Sequence, residues 1–124
     1  MFSHLFLGSN DLAKAKVFYD ALFAAIGGPE GLLIADRGRL IYAHKGSKLI
    51  LATPNNGEAA TIANGGTVGF AIDTAEQVEA WHAAGVAHGG TAIENAPGVR
   101  PAFNAYLAYL RDPDGHKLCA LCQL

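Results

Sequence analysis

Apolar and polar positions along the chain follow one pattern written twice. His4 to Tyr19 can be laid on Thr67 to His82 without a gap: a short apolar strand, a polar segment of Asn, Asp or Thr, then apolar residues at helical spacing. In the first helix Leu12, Ala15, Phe18, Tyr19, Leu22, Phe23 and Ile26 share a face, with Lys14, Lys16 and Asp20 elsewhere, so that face should cover a sheet. In the second, Thr74-x-x-Gln77 has the capping-box pattern, and Val78, Trp81 and Val86 form the apolar stripe. Trp81 is therefore expected in the core and His82 on the helix surface. Each helix runs into a glycine pair, Gly27-Gly28 and Gly89-Gly90.

Strand candidates follow each helix: 32–35, 40–44 and 48–52 in the first copy, 91–94, 106–111 and 117–121 in the second. Each copy reads βαβββ. Asp36-Arg-Gly38, Lys45-Gly-Ser47 and Asp112-Pro113-Asp114-Gly115 supply the turns. The expected fold is α+β, with two tandem βαβββ units, 1–54 and 66–124, in one domain and a polar, Gly-rich linker at 55–65.

Strand periodicity separates the two faces of the sheets. Val68, Phe70 and Ile72 should meet the second helix, which leaves Thr67, Gly69 and Ala71 on the other side. That opposite face is small enough to leave room for a cavity or for a second packed surface. In the first strand Leu5 and Leu7 take the helix side, while His4, Phe6 and Gly8 take the other, which singles out His4 among the five histidines.

Composition narrows the partners. With 9 Lys plus Arg against 11 Asp plus Glu the net charge is −2, which lacks the field that draws a protein to phosphate backbones or anionic lipid. Neither nucleic acid nor membrane is an expected partner. No secretory signal pattern and no apolar run of roughly 20 residues is present, so a cytoplasmic location is expected. The two cysteines form Cys119-x-x-Cys122, a spacing used by zinc and thiol-disulfide sites. In a strand, however, residues three apart point to opposite faces, and both read as small buried residues.

Phe2-Ser-His4-Leu-x-Leu-Gly8, Asp11-Leu-x-x-Ala-x-x-Phe18-Tyr19-Asp20 and Tyr109-Leu-Arg111-Asp-Pro-Asp-Gly-His-Lys-Leu118, with the paired βαβββ units, resemble the vicinal oxygen chelate superfamily of glyoxalase I, extradiol dioxygenases and bleomycin- and fosfomycin-resistance proteins. The resemblance covers nearly the whole chain. It implies sheets curled around a cleft, a homodimer, and in metal-dependent members a divalent ion whose open positions chelate adjacent substrate oxygens. Its ligand positions fall on His4, on Ile50 or Leu51, on Thr67 and on Cys119. One imidazole, a hydrocarbon, a hydroxyl and a thiol do not suit Mg²⁺, Mn²⁺ or Ni²⁺. A two-ligand Zn²⁺ or Cu⁺ site at His4 and Cys119 stays open as an alternative.

Without that metal, the expected cleft is lined by His4, Phe6, Thr67, Tyr42 or Tyr109, and Cys119. Residues 96–104 read as a long loop able to close over a ligand, with Arg100 placed to hold a carboxylate or phosphate or else to pair with Glu94. The leading expectation is a small-molecule-binding protein with no cofactor. The alternatives are a metal-free lyase, isomerase or transferase using His4 and Cys119 or Arg100, and a lactoylglutathione-lyase-like metalloenzyme.

Overall fold

A computed structural model describes all 124 residues. The first sheet holds β1 (His4–Gly8), β2 (Leu32–Ile34), β3 (Arg39–His44) and β4 (Ser47–Ala52) in the order β1-β4-β3-β2, with β1 and β4 parallel. The second holds β5 (Val68–Ala71), β6 (Thr91–Ala92), β7 (Gly98–Arg100), β8 (Ala105–Arg111) and β9 (Lys117–Gln123) in the order β5-β9-β8-β6, with β7 also on β8. Helices α1 (Leu12–Ala25) and α2 (Ala75–Ala87) follow the first strand of each unit.

The helix boundaries follow from local chemistry. Asp11 accepts from the Lys14 N–H at 3.0 Å and Thr74 from the Gln77 N–H at 3.1 Å, so each helix begins on a side-chain cap. Each ends where a glycine turns left-handed, Gly27 at φ 75° and Gly89 at φ 102°. The next residue's N–H then reaches back five positions, Gly28 to the Phe23 carbonyl at 2.7 Å and Gly90 to the Gly85 carbonyl at 2.8 Å.

Two expectations about the strands need correction. Residues 35 and 93–94 lie outside the strands assigned to them, and the 96–104 loop is instead β7 followed by a 3₁₀ turn, Pro101–Phe103. This corner repeats β2 and the 3₁₀ turn Ala35–Arg37, each closed by a left-handed residue, Gly38 and Asn104. The duplication thus extends further than the hydrophobic pattern shows, because a three-residue strand is too short for periodicity to register.

One core lies on the helix side of both sheets. Phe18, Tyr19, Leu22, Trp81, Leu40, Leu51, Leu110 and Leu118 are buried in it, so the expected core position of Trp81 holds. The helices approach each other closely at Gly85. A Cβ there would lie 2.3 Å from Leu110 Cδ1, 3.1 Å from Leu22 Cδ2 and 3.3 Å from Phe18 Cε2. Gly85→Ala should therefore lose about 1–3 kcal/mol through overpacking, despite alanine's better helix propensity. Urea denaturation measures this directly, and a stabilised variant would contradict the packing.

The motif Arg111–Lys117 fastens the two units together. Asp112, 3% exposed, accepts from the Tyr19 hydroxyl at 2.5 Å, from the Asp114 N–H at 3.0 Å and from the His116 N–H at 2.9 Å. Asp114 accepts from the Asn10 N–H at 2.8 Å, and His116 Nε2 lies 2.7 Å from the Gly8 carbonyl. The turn belongs to the second unit, while Gly8, Asn10 and Tyr19 belong to the first. His116, to which the sequence assigns no role, is thus part of the inter-unit joint.

Two open sheet faces as the candidate site

Neither helix packs on the far side of either sheet, yet only the first sheet shows large exposed side chains there, since Ala105, Leu107 and Cys119 on the second are buried. On the first, register places His4 beside Lys48 and Phe6 beside Ile50, with Arg39 opposite Ala52. Phe6 is 52% exposed and Leu32 61%, so this face is open there, while the linker closes over its Gly8 end. On the second, Gly69 and Tyr109 flank Cys119, and Ala71 and Leu107 flank Leu121. Ala105, Leu107 and Cys119 form a small cluster, backed by Tyr109 and Leu121, that is separate from the main core and contains nothing from the first sheet.

The candidate residues therefore divide into two groups. His4 and Phe6 lie on the first open face, their rings edge to face at 5.7 Å, and the Ser3 hydroxyl is 2.8 Å from His4 Nδ1. Thr67 immediately precedes β5, and Tyr109 and Cys119 lie on the second face. His4 and Cys119 share none of the chain's main cavities. No strand of one sheet hydrogen-bonds a strand of the other.

Tyr42 is in neither group. It is 1% exposed, its hydroxyl donates to Asp20 Oδ1 at 2.7 Å, and its ring stacks on Phe23 at 4.6 Å, so it belongs to the core beneath α1. Arg100 is held at the second sheet's margin, its Nη2 donating to the Ala96 carbonyl at 2.9 Å and the Asn95 carbonyl at 3.3 Å. Glu94 pairs with Lys117, not with Arg100.

The two cysteines separate as strand alternation requires. Cys122 faces the main core and Cys119 the open-face cluster, and both are free thiols. Burial pushes the Cys119 thiol above its ordinary range, more than Tyr109, Lys117 and Arg100 bring it down. It should stay protonated at neutral pH and react with a disulfide reagent no faster than an ordinary buried thiol. Thiol release followed from pH 6 to 10 tests this. A rate that is already maximal at pH 7 would show an activated thiolate.

Ile50 shares the open face with His4, whereas Leu51 is fully buried on the helix side, so the inherited metal position between them carries a hydrocarbon in either register. Within one chain no three His, Cys, Asp or Glu side chains gather closely enough to hold a metal ion.

Arg39 has no distinguishing signal in the sequence. Its guanidinium lies 5.5 Å from the centre of the Phe6 ring and donates from Nη2 to Asn55 Oδ1 at 2.7 Å. Nη1 donates to the carbonyls of Gly38, Arg37 and Thr53 at 3.1, 3.2 and 3.3 Å. An arginine opening a strand next to Asp36-Arg-Gly38 reads as part of a solvated turn, and only the strand register turns it toward Phe6. Beside it a cavity of about 410 Å³ lies between the open face and the linker, lined among others by Phe6, Gly8, Thr53, Asn55 and Glu58.

A pair of βαβββ units, each with helices on one side of its sheet only, defines a class of cleft-forming α+β proteins. The profile of the glyoxalase/bleomycin resistance protein/dioxygenase superfamily matches residues 1–120, and the chain belongs to that superfamily. A glyoxalase/bleomycin resistance protein from Albidiferax ferrireducens is 47% identical, with TM-score 0.93, over 99% of this chain and 98% of its own. A glyoxalase-related enzyme from Fulvimarina pelagi is 20% identical, with TM-score 0.78, over 99% of this chain and 88% of its own. Lactoylglutathione lyase from Agrobacterium tumefaciens is 21% identical, with TM-score 0.68, over 98% and 92%. The latter two share the fold. No curated protein matches the sequence. No helix is long and apolar enough to cross a membrane.

Proposed function

We propose that the chain is a small-molecule-binding member of its superfamily that works without the usual divalent metal, as a homodimer in which the first open face of one copy meets the second open face of the other. The observation that carries this is the division of the site. His4, Phe6 and Arg39 lie on one sheet, Tyr109 and Cys119 on another, with Thr67 just before β5, and no cavity of the chain brings the two groups together. A second copy, related by a twofold axis, would close two equivalent clefts at once.

Physical chemistry supports such a partner. Strands β1 and β5 are sheet edges with unpaired backbone groups, and β1 carries no Lys, Arg, Asp or Glu, so it lacks the usual protection against edge pairing. The exposed Phe6 and Leu32 add apolar area that association would bury. The proposed cleft would combine apolar walls with a few polar groups, the ordinary construction of a small-molecule site.

Metal-independent binding follows from the donors. An imidazole and a protonated thiol, with Ile50 and Thr67 in the remaining positions, give a divalent ion too few oxygen or nitrogen ligands. The same thiol speaks against nucleophilic catalysis through Cys119, so binding is favoured over a His4–Cys119 enzyme. A thermal-shift screen of metabolites and antibiotics tests the reading, since a ligand of the native state raises Tm by an amount set by its concentration and affinity. Failure of every compound at millimolar concentration, on protein shown to be folded, would contradict it.

A further inference from the structure

Acidic residues are distributed unevenly in this chain. None of the 11 Asp and Glu lies in any of the nine strands, whereas Arg39, Lys48, Arg100, Arg111 and Lys117 do. Register places all five on the open faces: Lys48 beside His4, Arg39 opposite Ala52, Arg100 opposite Ala105, and Arg111 opposite Lys117. Of these five only Lys117 has a carboxylate partner, Glu94. A chain of net charge −2 thus places five of its nine Lys and Arg, and no acidic strand residue, on the two surfaces proposed to form the cleft. Charges of one sign on low-dielectric walls focus their field into the space between them.

Resting on the binding role proposed above, we infer that the ligand is an organic anion with an apolar body, and that Arg39 anchors its charged group. Arg39 is half-buried, and no acidic side chain pairs with it. Its Nη1 is held by backbone carbonyls and its Nη2 by Asn55, which fixes the guanidinium plane. The same plane lies against Phe6, and it borders the cavity beneath the linker. A guanidinium oriented in this way offers its remaining N–H edge to a carboxylate, sulfonate or phosphonate. Phe6 and Ile50 supply the apolar surface beside it. Glu58, on the linker, is the one acid lining the cavity and lies 3.3 Å from the Asn56 amide, so it sets a repulsive limit on the outer side.

A pair of fluorescent probes of one shape tests the charge requirement. 8-Anilinonaphthalene-1-sulfonate carries an anion on an apolar body, and N-phenyl-1-naphthylamine is the same body without it. On the native protein the sulfonate should bind at least about tenfold more tightly than the neutral probe. Arg39→Gln should remove most of that difference while leaving the neutral probe unchanged. Arg39→Lys should restore part of it, and its melting temperature shows whether the fold is retained. Glu58→Gln should tighten the sulfonate alone.

Equal binding of both probes, or an Arg39→Gln protein that keeps its preference for the anion, would overturn the inference and leave the binding role standing. Failure of both probes to bind the folded protein would overturn the inference and count against the binding role as well.

Discussion

Asp112→Ala is expected to lower the unfolding free energy by about 3–5 kcal/mol, the range for breaking a buried, hydrogen-bonded charge, and to reduce Tm by roughly 10–20 °C. The carboxylate accepts three hydrogen bonds, and its loss strands the Tyr19 hydroxyl together with the N–H groups of Asp114 and His116. Because Tyr19 is on α1 and Asp112 directly follows β8, the damage falls on the joint between the units and not on one of them. Asp112→Asn should be much milder. Its amide oxygen can still accept from the two N–H groups, and its NH₂ can face the tyrosine oxygen.

Acid unfolding distinguishes these variants further. Burial raises the Asp112 carboxyl above its ordinary value of 3.8, against the lowering effect of Tyr19 and His116. The native state then holds that proton more firmly than the unfolded chain. This contribution is fully favourable below 3.8 and is lost as pH rises through the native value. Asp112→Asn removes the dependence, so the difference in stability between wild type and this variant should change over that window and be flat above it. Urea titrations at closely spaced pH values would show it, and a constant difference across the window would contradict the assignment.

Phe6→Glu is expected to produce the second large effect, dissociation of the proposed dimer into a 12.9 kDa monomer with association weakened by at least about a hundredfold. The substitution removes one of the larger exposed apolar side chains and asks a carboxylate to enter the apposed faces. Together these effects amount to about 3 kcal/mol or more. Phe6 contributes to no buried cluster of its own chain, so the monomer should keep its melting behaviour apart from the lost association. Light scattering across a concentration series reads the mass. A wild-type protein that is monomeric at high micromolar concentration would refute the shared cleft. So would a Phe6→Glu protein that stays dimeric with unchanged affinity.

Much of the architecture is legible in the sequence because it depends on repeated local signals. The aromatic stripe of α1, the cap at Thr74 and the paired glycines each specify an element through interactions within a few residues. The alternation through Val68, Phe70 and Ile72 likewise separates core from open face. Residues 98–104 were harder to read: a three-residue strand and a 3₁₀ turn have no period, and their identity comes from pairing with β8. Tyr42, which the sequence offers for the cleft as an alternative to Tyr109, is put in the core by strand alternation with Leu40, and Asp20 satisfies its hydroxyl there. The site was the least legible part. Strand parity gives the face on which His4 or Cys119 lies, but it carries no information about which two faces oppose each other. That depends on how α1 and α2 pack and on the ties from Asp112, Asp114 and His116 to the first unit. Arg39 shows the same limit, since only pairing with β4 turns it toward Phe6 and the linker.

Metal-independent binding in a cleft shared by two copies is tested most directly by ligand-induced thermal stabilisation after exhaustive dialysis against a chelator. With a hit from the metabolite and antibiotic screen, the account predicts the same shift in Tm before dialysis, after it, and after Mg²⁺, Mn²⁺, Ni²⁺ or Zn²⁺ is returned. A shift that disappears with the chelator and reappears with one of these ions would contradict it.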